Sequence, residues 1–124
     1  MTSTIQDQIF IRDLHLRCII GIQEWERHTK QDVLITVAIT ADLTTAGRSD
    51  NIDDTINYKK LTKQIIALTE GSSFQLVEAL AEAIASLGLS DPRVTKVAVD
   101  VEKPGAVRFS RSVGVHIERL RPSE

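Results

Sequence analysis

The chain has 124 residues, of which 42% are hydrophobic and 26% are charged, and its formal net charge is −2 at pH 7. These values predict one globular domain over residues 1–124, and the small negative charge argues against a nucleic-acid partner. The single cysteine, Cys18, excludes an intramolecular disulfide and favours a reducing compartment. No apolar run is long enough to span a membrane, and residues 1–7 are too polar for a signal peptide. We therefore expect a cytoplasmic protein with neither a nucleic acid nor a membrane as partner.

Two strands are predicted in the first third of the chain. Residues 8–22 are rich in Ile, Leu and Phe, but their apolar pattern changes phase, and a bulge near Asp13 would account for the change. Residues 32–43 alternate cleanly, with apolar side chains at every second position from Val33 to Ala41. The connection between the two strands, residues 23–31, is polar and contains the only tryptophan, Trp25.

Two helices are predicted in the middle of the chain. An Asp- and Asn-rich link over residues 49–55 offers several possible N-caps. After this link, apolar residues from Tyr58 to Leu68 recur at helical spacing, and Gly71 suits the end of the helix. A second helix is predicted from Ser73 to about Gly88, with residues 74–77 in its first turn.

Two further strands are predicted over residues 94–103 and 110–120. Both have apolar residues at alternating positions, as a half-buried strand should. Pro104 cannot continue a sheet ladder, and Gly105 suits a sharp turn. Lys103 is therefore expected to be the last side chain held by the sheet before the chain turns back.

The order of these elements, strand–strand–helix–helix–strand–strand, predicts an α+β fold. We expect an antiparallel four-stranded sheet with two helices packed on one face. The edge strands of such a sheet offer unpaired backbone groups, and pairing of edges between subunits into a closed barrel would satisfy them. A ring-shaped homo-oligomer is therefore expected, and a monomer with charged edges is the alternative.

The sequence does not favour a metal site. The three histidines, His15, His28 and His116, are scattered without a His-x-His or His-x-x-x-His pair. His15 and Cys18 lie three residues apart on a predicted strand and therefore point to opposite faces. We expect no metal, and we interpret Cys18 as a small core residue.

Four positions could carry chemistry, although each also has an ordinary structural explanation. Lys103 stands at a strand end, where most lysines are solvated, and Tyr58 opens a helix, where a ring usually packs in the core. The loop of residues 24–26 places Trp25 between two glutamates and could be a plain solvated turn. Glu78 lies near the start of the second helix, where a carboxylate can accept paired hydrogen bonds from a heterocyclic base. Its alternative is an exposed helical glutamate.

Four segments, taken in this order, resemble the dihydroneopterin aldolase family, which belongs to the T-fold group of pterin and purine enzymes. The matching segments are residues 20–26 (IGIQEWE), 56–58 (INY), 74–78 (FQLVE) with Ala81, and 103–107 (KPGAV). Together they extend over nearly the whole chain. The resemblance implies the strand and helix order deduced above, a four-membered barrel of subunits, and usually two stacked rings that form an octamer with sites at subunit interfaces.

The resemblance also implies a role for each site residue. Glu78, with the Val77 backbone amide beside it, would anchor the pterin amino group and the adjacent ring nitrogen. Tyr58, from the neighbouring subunit, would transfer a proton near the side-chain carbon. Lys103 would be the general acid and base, and Glu26 would position Lys103, water or the substrate hydroxyl.

The implied reaction is the retro-aldol cleavage of 7,8-dihydroneopterin in folate synthesis. No cofactor is expected, because the dihydropterin ring contains an imine that can accept the electrons of the broken bond. Two alternatives stay open. One is the dihydroneopterin triphosphate 2′-epimerase, for which Arg108 and Arg111 could meet phosphates. The other is a pterin- or purine-binding T-fold protein without catalysis.

Overall fold

The computed structural model of the chain describes residues 5–122. In these residues one antiparallel sheet has four strands in the order of the chain, and its members are β1 (Asp7–Cys18), β2 (Gln31–Ala41), β3 (Lys96–Pro104) and β4 (Ser112–Leu120). The helices are α1 (Thr44–Ser49), α2 (Tyr58–Glu70) and α3 (Val77–Gly88), with 3-10 turns at Glu24–Arg27 and Ile52–Asp54. The predicted α+β class and the order of its strands and long helices are confirmed, and α1 is a short helix that was not predicted.

The core lies between one face of the sheet and the long helices. The alternating apolar residues of β2 and β3 that were expected to face inward are at most 2% exposed. They pack against the apolar stripes of α2 and α3, in which Ile65, Leu80 and Ile84 are fully buried. Each such side chain contributes roughly 1.5–3 kcal/mol relative to exposure, so this layer is the main source of stability. None of the helices within residues 5–122 is long and apolar enough to cross a membrane.

The change of phase in β1 is caused by a bulge, as predicted. The pairing register with β2 shifts between Ile11 and Leu14, and Asp13 has a φ of 53°. The Asp13 amide donates a hydrogen bond of 3.0 Å to Thr36 Oγ1. Beyond the bulge, Leu16 and Cys18 face the core.

The N-termini of the two long helices differ from the prediction. The cap of α2 is Asn57, just outside the predicted link, and its side chain accepts a hydrogen bond of 3.0 Å from the Lys60 amide. The prediction that α3 starts at Ser73 is wrong, because α3 begins at Val77 after an extended Leu76. The Phe74 carbonyl cannot join a helix because it accepts hydrogen bonds from Gly21 and Arg27.

The turn between β3 and β4 ends the sheet one residue later than predicted. Pro104 still pairs with Ser112, so Pro104 and not Lys103 is the last residue of β3. Proline is tolerated at this position because the ladder ends there. Gly105 follows with a φ of 69° and donates a backbone hydrogen bond of 3.0 Å to the Arg111 carbonyl.

Candidate active site

A buried ion pair forms the centre of the candidate site. Lys103, near the end of β3, places its Nζ 2.7 Å from Oε2 of Glu26 in the 3-10 turn between β1 and β2. The side chains are only 14% and 9% exposed. The two residues are 77 positions apart in the sequence, so the pair exists only because the 3-10 turn folds over the end of β3.

The Glu26 carboxylate is held from several sides. Its Oε1 accepts a hydrogen bond of 3.0 Å from the Gln23 amide, and the Gln31 side chain also contacts the carboxylate. The hydrogen bond from Lys103 lowers the pKa of Glu26, and this effect exceeds the opposing effect of burial. The carboxylate is therefore ionised at neutral pH and is ready to accept or orient a proton.

A glycine makes room for that carboxylate. Gly21 has a φ of 128°, which side chains rarely tolerate, and a Cβ at this position would lie 2.2 Å from the carboxyl carbon of Glu26. Any other residue at position 21 would displace Glu26 from Lys103.

The ion pair lies in a cleft of about 560 Å³. Trp25 forms part of its wall, with 58% of the residue exposed. Arg17 and Lys30 bring positive charge to the same cleft, and Asp32 brings negative charge. The remaining lining residues are Gln23, Thr29, Gln31 and the turn residues Pro104, Gly105 and Ala106. The cleft therefore has room for a small heterocyclic molecule beside an amine and a carboxylate.

Glu78 and Val77 do not line the cleft. They are the first two residues of α3, and Glu78 is exposed. The helical hydrogen-bond ladder starts with Ala79, whose amide donates to the Leu76 carbonyl at 3.1 Å. The amides of Val77 and Glu78 precede that ladder and can serve a ligand at the start of the helix.

Tyr58 lies outside the cleft of the ion pair in its own chain. It is the first residue of α2, is 49% exposed, and is not among the residues that line the cleft with Lys103. Its neighbours Ile56 and Asn57 instead line a second cleft of about 570 Å³ between the start of α2 and the end of α3. A single chain therefore unites Glu26 with Lys103 in one cleft, and that cleft is lined by none of Tyr58, Val77 and Glu78.

Three residues of the site were not predicted from the sequence. Gln31 contacts the Glu26 carboxylate and also donates to the Ile20 carbonyl. Gly21 and Arg27 connect the loop of Glu26 to the segment that precedes α3. Of the three, only Gly21 has a visible signal, as the glycine of residues 20–26. Arg27 has none, because its acceptors Ser73 and Phe74 are distant in the sequence.

The histidines and the cysteine lie outside this cleft. His15 and His28 are exposed and pair with Asp32 and Glu24, while His116 lies between Asp100 and Glu118. Within residues 5–122 no group of three or more His, Cys, Asp or Glu side chains could hold a metal ion. Cys18 is fully buried, and burial raises the pKa of its thiol.

The fold defines the class of protein. Two long helices on one face of a four-stranded antiparallel sheet are the arrangement of a T-fold subunit.

Comparisons with known proteins define the family. The family model described as dihydroneopterin aldolase (FolB) matches residues 9–118. The chain is 39% identical to the dihydroneopterin triphosphate 2′-epimerase of Pseudomonas aeruginosa, over 87% of this chain and 88% of that protein. The crystal structure of the Escherichia coli dihydroneopterin aldolase in complex with neopterin superposes with a TM-score of 0.87, at 34% identity, over 91% of this chain and 98% of the other. The chain belongs to the dihydroneopterin aldolase family.

A third relative is much longer than this chain. The Folic acid synthesis protein FOL1 of Dictyostelium discoideum is 39% identical over 91% of this chain, but the match spans only 17% of that protein. The similarity to this relative therefore concerns one segment of a larger protein.

Proposed function

We propose that the protein is a dihydroneopterin aldolase that cleaves 7,8-dihydroneopterin into 6-hydroxymethyl-7,8-dihydropterin and glycolaldehyde, a step of folate synthesis. The observation that carries the proposal is the buried Lys103–Glu26 pair, in a cleft of suitable size, in a chain that the family model matches over residues 9–118. A related structure at 34% identity is a complex with neopterin, which supports a pterin as the ligand class.

The proposed reaction consists of proton transfers around one bond cleavage. The hydroxyl on C2′ of the substrate side chain loses its proton, the C1′–C2′ bond breaks, and C2′ becomes the aldehyde carbon of glycolaldehyde. The electron pair of that bond moves into the ring imine, whose nitrogen N5 takes up a proton. C1′ then gains a proton while N5 loses one, which yields the hydroxymethyl product. The reaction consumes no water and no oxidant, so the enzyme needs only to hold the ring and move protons.

The site residues have separate roles in this proposal. Glu78 accepts two parallel hydrogen bonds from the amino group and the adjacent nitrogen of the pterin, and the Val77 amide donates to the ring. Lys103 is the general acid and base, and Glu26 orients Lys103 or the reacting hydroxyl. Tyr58 transfers a proton at the side-chain carbon.

A complete site needs a second subunit in this proposal. Tyr58 does not line the cleft of its own chain, and within residues 5–122 the edge strands β1 and β4 each pair with a neighbouring strand on one side only. Pairing of β1 with the β4 of a neighbour would close a ring and could bring a neighbouring Tyr58 to the cleft.

The second candidate function is that of a dihydroneopterin triphosphate 2′-epimerase. The relative from Pseudomonas aeruginosa with that name favours it, as do Arg17 and Lys30 in the cleft, which could bind phosphates. Arg108 and Arg111, which the sequence suggested for this task, do not line the cleft. Arg108 instead stacks on Phe109, and Arg111 is 3.9 Å from Glu102.

Product analysis with the purified protein tests the proposal. Dihydroneopterin and its triphosphate are incubated separately, and the pterin products and glycolaldehyde are followed by chromatography. We expect glycolaldehyde and the hydroxymethyl pterin from the free substrate. An inverted side-chain hydroxyl, formed mainly from the triphosphate, would instead favour the epimerase. Binding of a pterin without any product would identify a carrier.

A further inference from the structure

We propose that Arg27 is a positioning residue, which holds the start of α3 at a fixed place relative to the Glu26–Lys103 pair. The inference rests on the proposed function to the extent that Val77 and Glu78 hold the ring while Lys103 acts on its side chain. Val77 and Glu78 then form one half of the site, and the Lys103–Glu26 pair forms the other. The distance between these halves determines whether a bound substrate can react.

The guanidinium of Arg27 contacts three backbone carbonyls. Its Nη1 donates to the carbonyls of Gly21 at 2.9 Å and Phe74 at 3.2 Å, and its Nη2 donates to the Ser73 carbonyl at 2.6 Å. The fork of N–H groups on a guanidinium suits several acceptors at once, whereas a lysine amine acts as a single point. Arg27 therefore bridges two segments that are separated by almost fifty residues.

The first bridged segment contains Glu26, one partner of the ion pair. Gly21 is in direct contact with the Glu26 carboxylate, and its amide donates to the Phe74 carbonyl at 3.3 Å. The Phe74 carbonyl thus accepts hydrogen bonds from both Gly21 and Arg27. Because Glu26 is bound to Lys103, a shift of this segment would move the catalytic pair.

The second bridged segment leads directly into α3. Val77 follows Phe74 by three residues, and the intervening Leu76 is extended. A shift of Ser73 and Phe74 would therefore move the first turn of α3, which carries the Val77 amide and the Glu78 carboxylate. These contacts also account for the late start of α3.

Arg27 acts through geometry and not through its charge. It does not line the cleft, so it does not meet a substrate there. The groups that lower the pKa of Glu26 are Lys103, Gln23 and Gln31, and Arg27 is not one of them. Substitution of Arg27 should therefore leave the inflections of the pH–rate profile unchanged.

The test compares kcat with ligand affinity in Arg27→Ala. We expect kcat to fall about 10–100-fold, since a misplacement of about 1 Å can cost about two orders of magnitude. The Kd for neopterin should change less than about threefold, because each half of the site stays intact. Guanidinium ion at millimolar concentration should restore part of kcat. Arg27→Lys keeps the charge without the fork, and it should resemble Arg27→Ala.

Arg121 provides a matched control. It also donates to three carbonyls of one loop, those of Val94 at 2.8 Å, Asp91 at 2.8 Å and Leu89, but it lies outside the cleft. Arg121→Ala should lower the melting temperature about as much as Arg27→Ala while kcat stays within about twofold of wild type. Equal losses of kcat in both variants, or a changed pH profile in Arg27→Ala alone, would overturn the inference.

Amide hydrogen exchange separates this inference from the proposed function. Arg27→Ala, or Arg27→Lys if the alanine variant does not fold, should raise exchange about tenfold at Gly21, Ala79 and Leu80, whose amides donate to the carbonyls of Phe74 and Leu76. Arg121→Ala should leave these amides unchanged. A wild type without turnover would refute the proposed function only, whereas unchanged exchange in the Arg27 variant would refute the positioning role even in an active enzyme.

Discussion

At the scale of single residues, the Lys103–Glu26 pair combines stability with reactivity. Two buried charges stabilise each other, and removal of one partner leaves the other charge uncompensated in a poorly solvated place. A substitution of Lys103 can therefore reduce activity by removing a proton carrier or by damaging the fold. Any test of its role has to separate these two effects.

We predict that Lys103→Ala retains pterin binding while kcat falls by about two to four orders of magnitude, as is typical for loss of a general acid or base. Glu78→Ala should instead lose most of the binding. Titration calorimetry with neopterin and single-turnover kinetics distinguish the two outcomes. A Lys103→Ala variant with the wild-type rate would show that the lysine is not catalytic.

A double substitution supplies the control for stability. Lys103→Met with Glu26→Gln removes both charges, so it should be more stable than Lys103→Met alone, and it should stay inactive. Recovery of both stability and turnover would mean that Lys103 acts only through the fold.

At the scale of elements, the cap of α2 connects the helix to the candidate site. The Asn57 side chain accepts a hydrogen bond from the Lys60 amide, which satisfies one of the otherwise unpaired donors of the first turn. Tyr58 is the first residue of that turn, so the cap also restrains the direction of the tyrosine.

We predict that Asn57→Ala lowers the free energy of unfolding by about 1 kcal/mol, measured by urea denaturation, and that Asn57→Asp retains most of the stability. Asn51 is the matched control. It accepts a hydrogen bond of 2.9 Å from the Asp53 amide at a 3-10 turn of only three residues, so Asn51→Ala should cost less. An equal loss in both variants would contradict the specific role of the α2 cap.

At the scale of the whole molecule, the edges of the sheet determine how subunits can assemble. In residues 5–122 neither β1 nor β4 has a second partner strand, and apolar side chains such as Phe10 and Val113 are exposed on them. Pairing between chains would satisfy the backbone groups and cover these side chains.

We predict a particle of four or eight times the 13.8 kDa chain mass by light scattering. Mixed oligomers test whether the site is shared. If Tyr58 comes from a neighbour, co-refolded Tyr58→Ala and Lys103→Ala chains should regain about a quarter of the wild-type activity, because random mixing completes one site in four. A monomer, or mixtures without any activity, would contradict a site at the interface.

The sequence by itself determined the local structure of this protein. The alternation in β2 and β3, the helical spacing in α2 and α3, and the bulge at Asp13 are all patterns of neighbouring residues, and they were sufficient to predict the class and order of the elements. Lys103 was singled out by its place at the end of a predicted strand, and the role of Glu26 came from the resemblance of its segment to the family. Their catalytic roles stay predictions.

Only the tertiary structure decided where the parts of the site meet. The start of α3 is set by hydrogen bonds from Gly21 and Arg27, which lie about fifty residues earlier, and helical spacing carries no trace of such bonds. The same holds for the pairing of Glu26 with Lys103, 77 residues apart, and for the position of Tyr58 outside the cleft of its own chain. A pattern along the chain records which face of an element is apolar, whereas a contact between distant loops depends on how the packed elements bring those loops together.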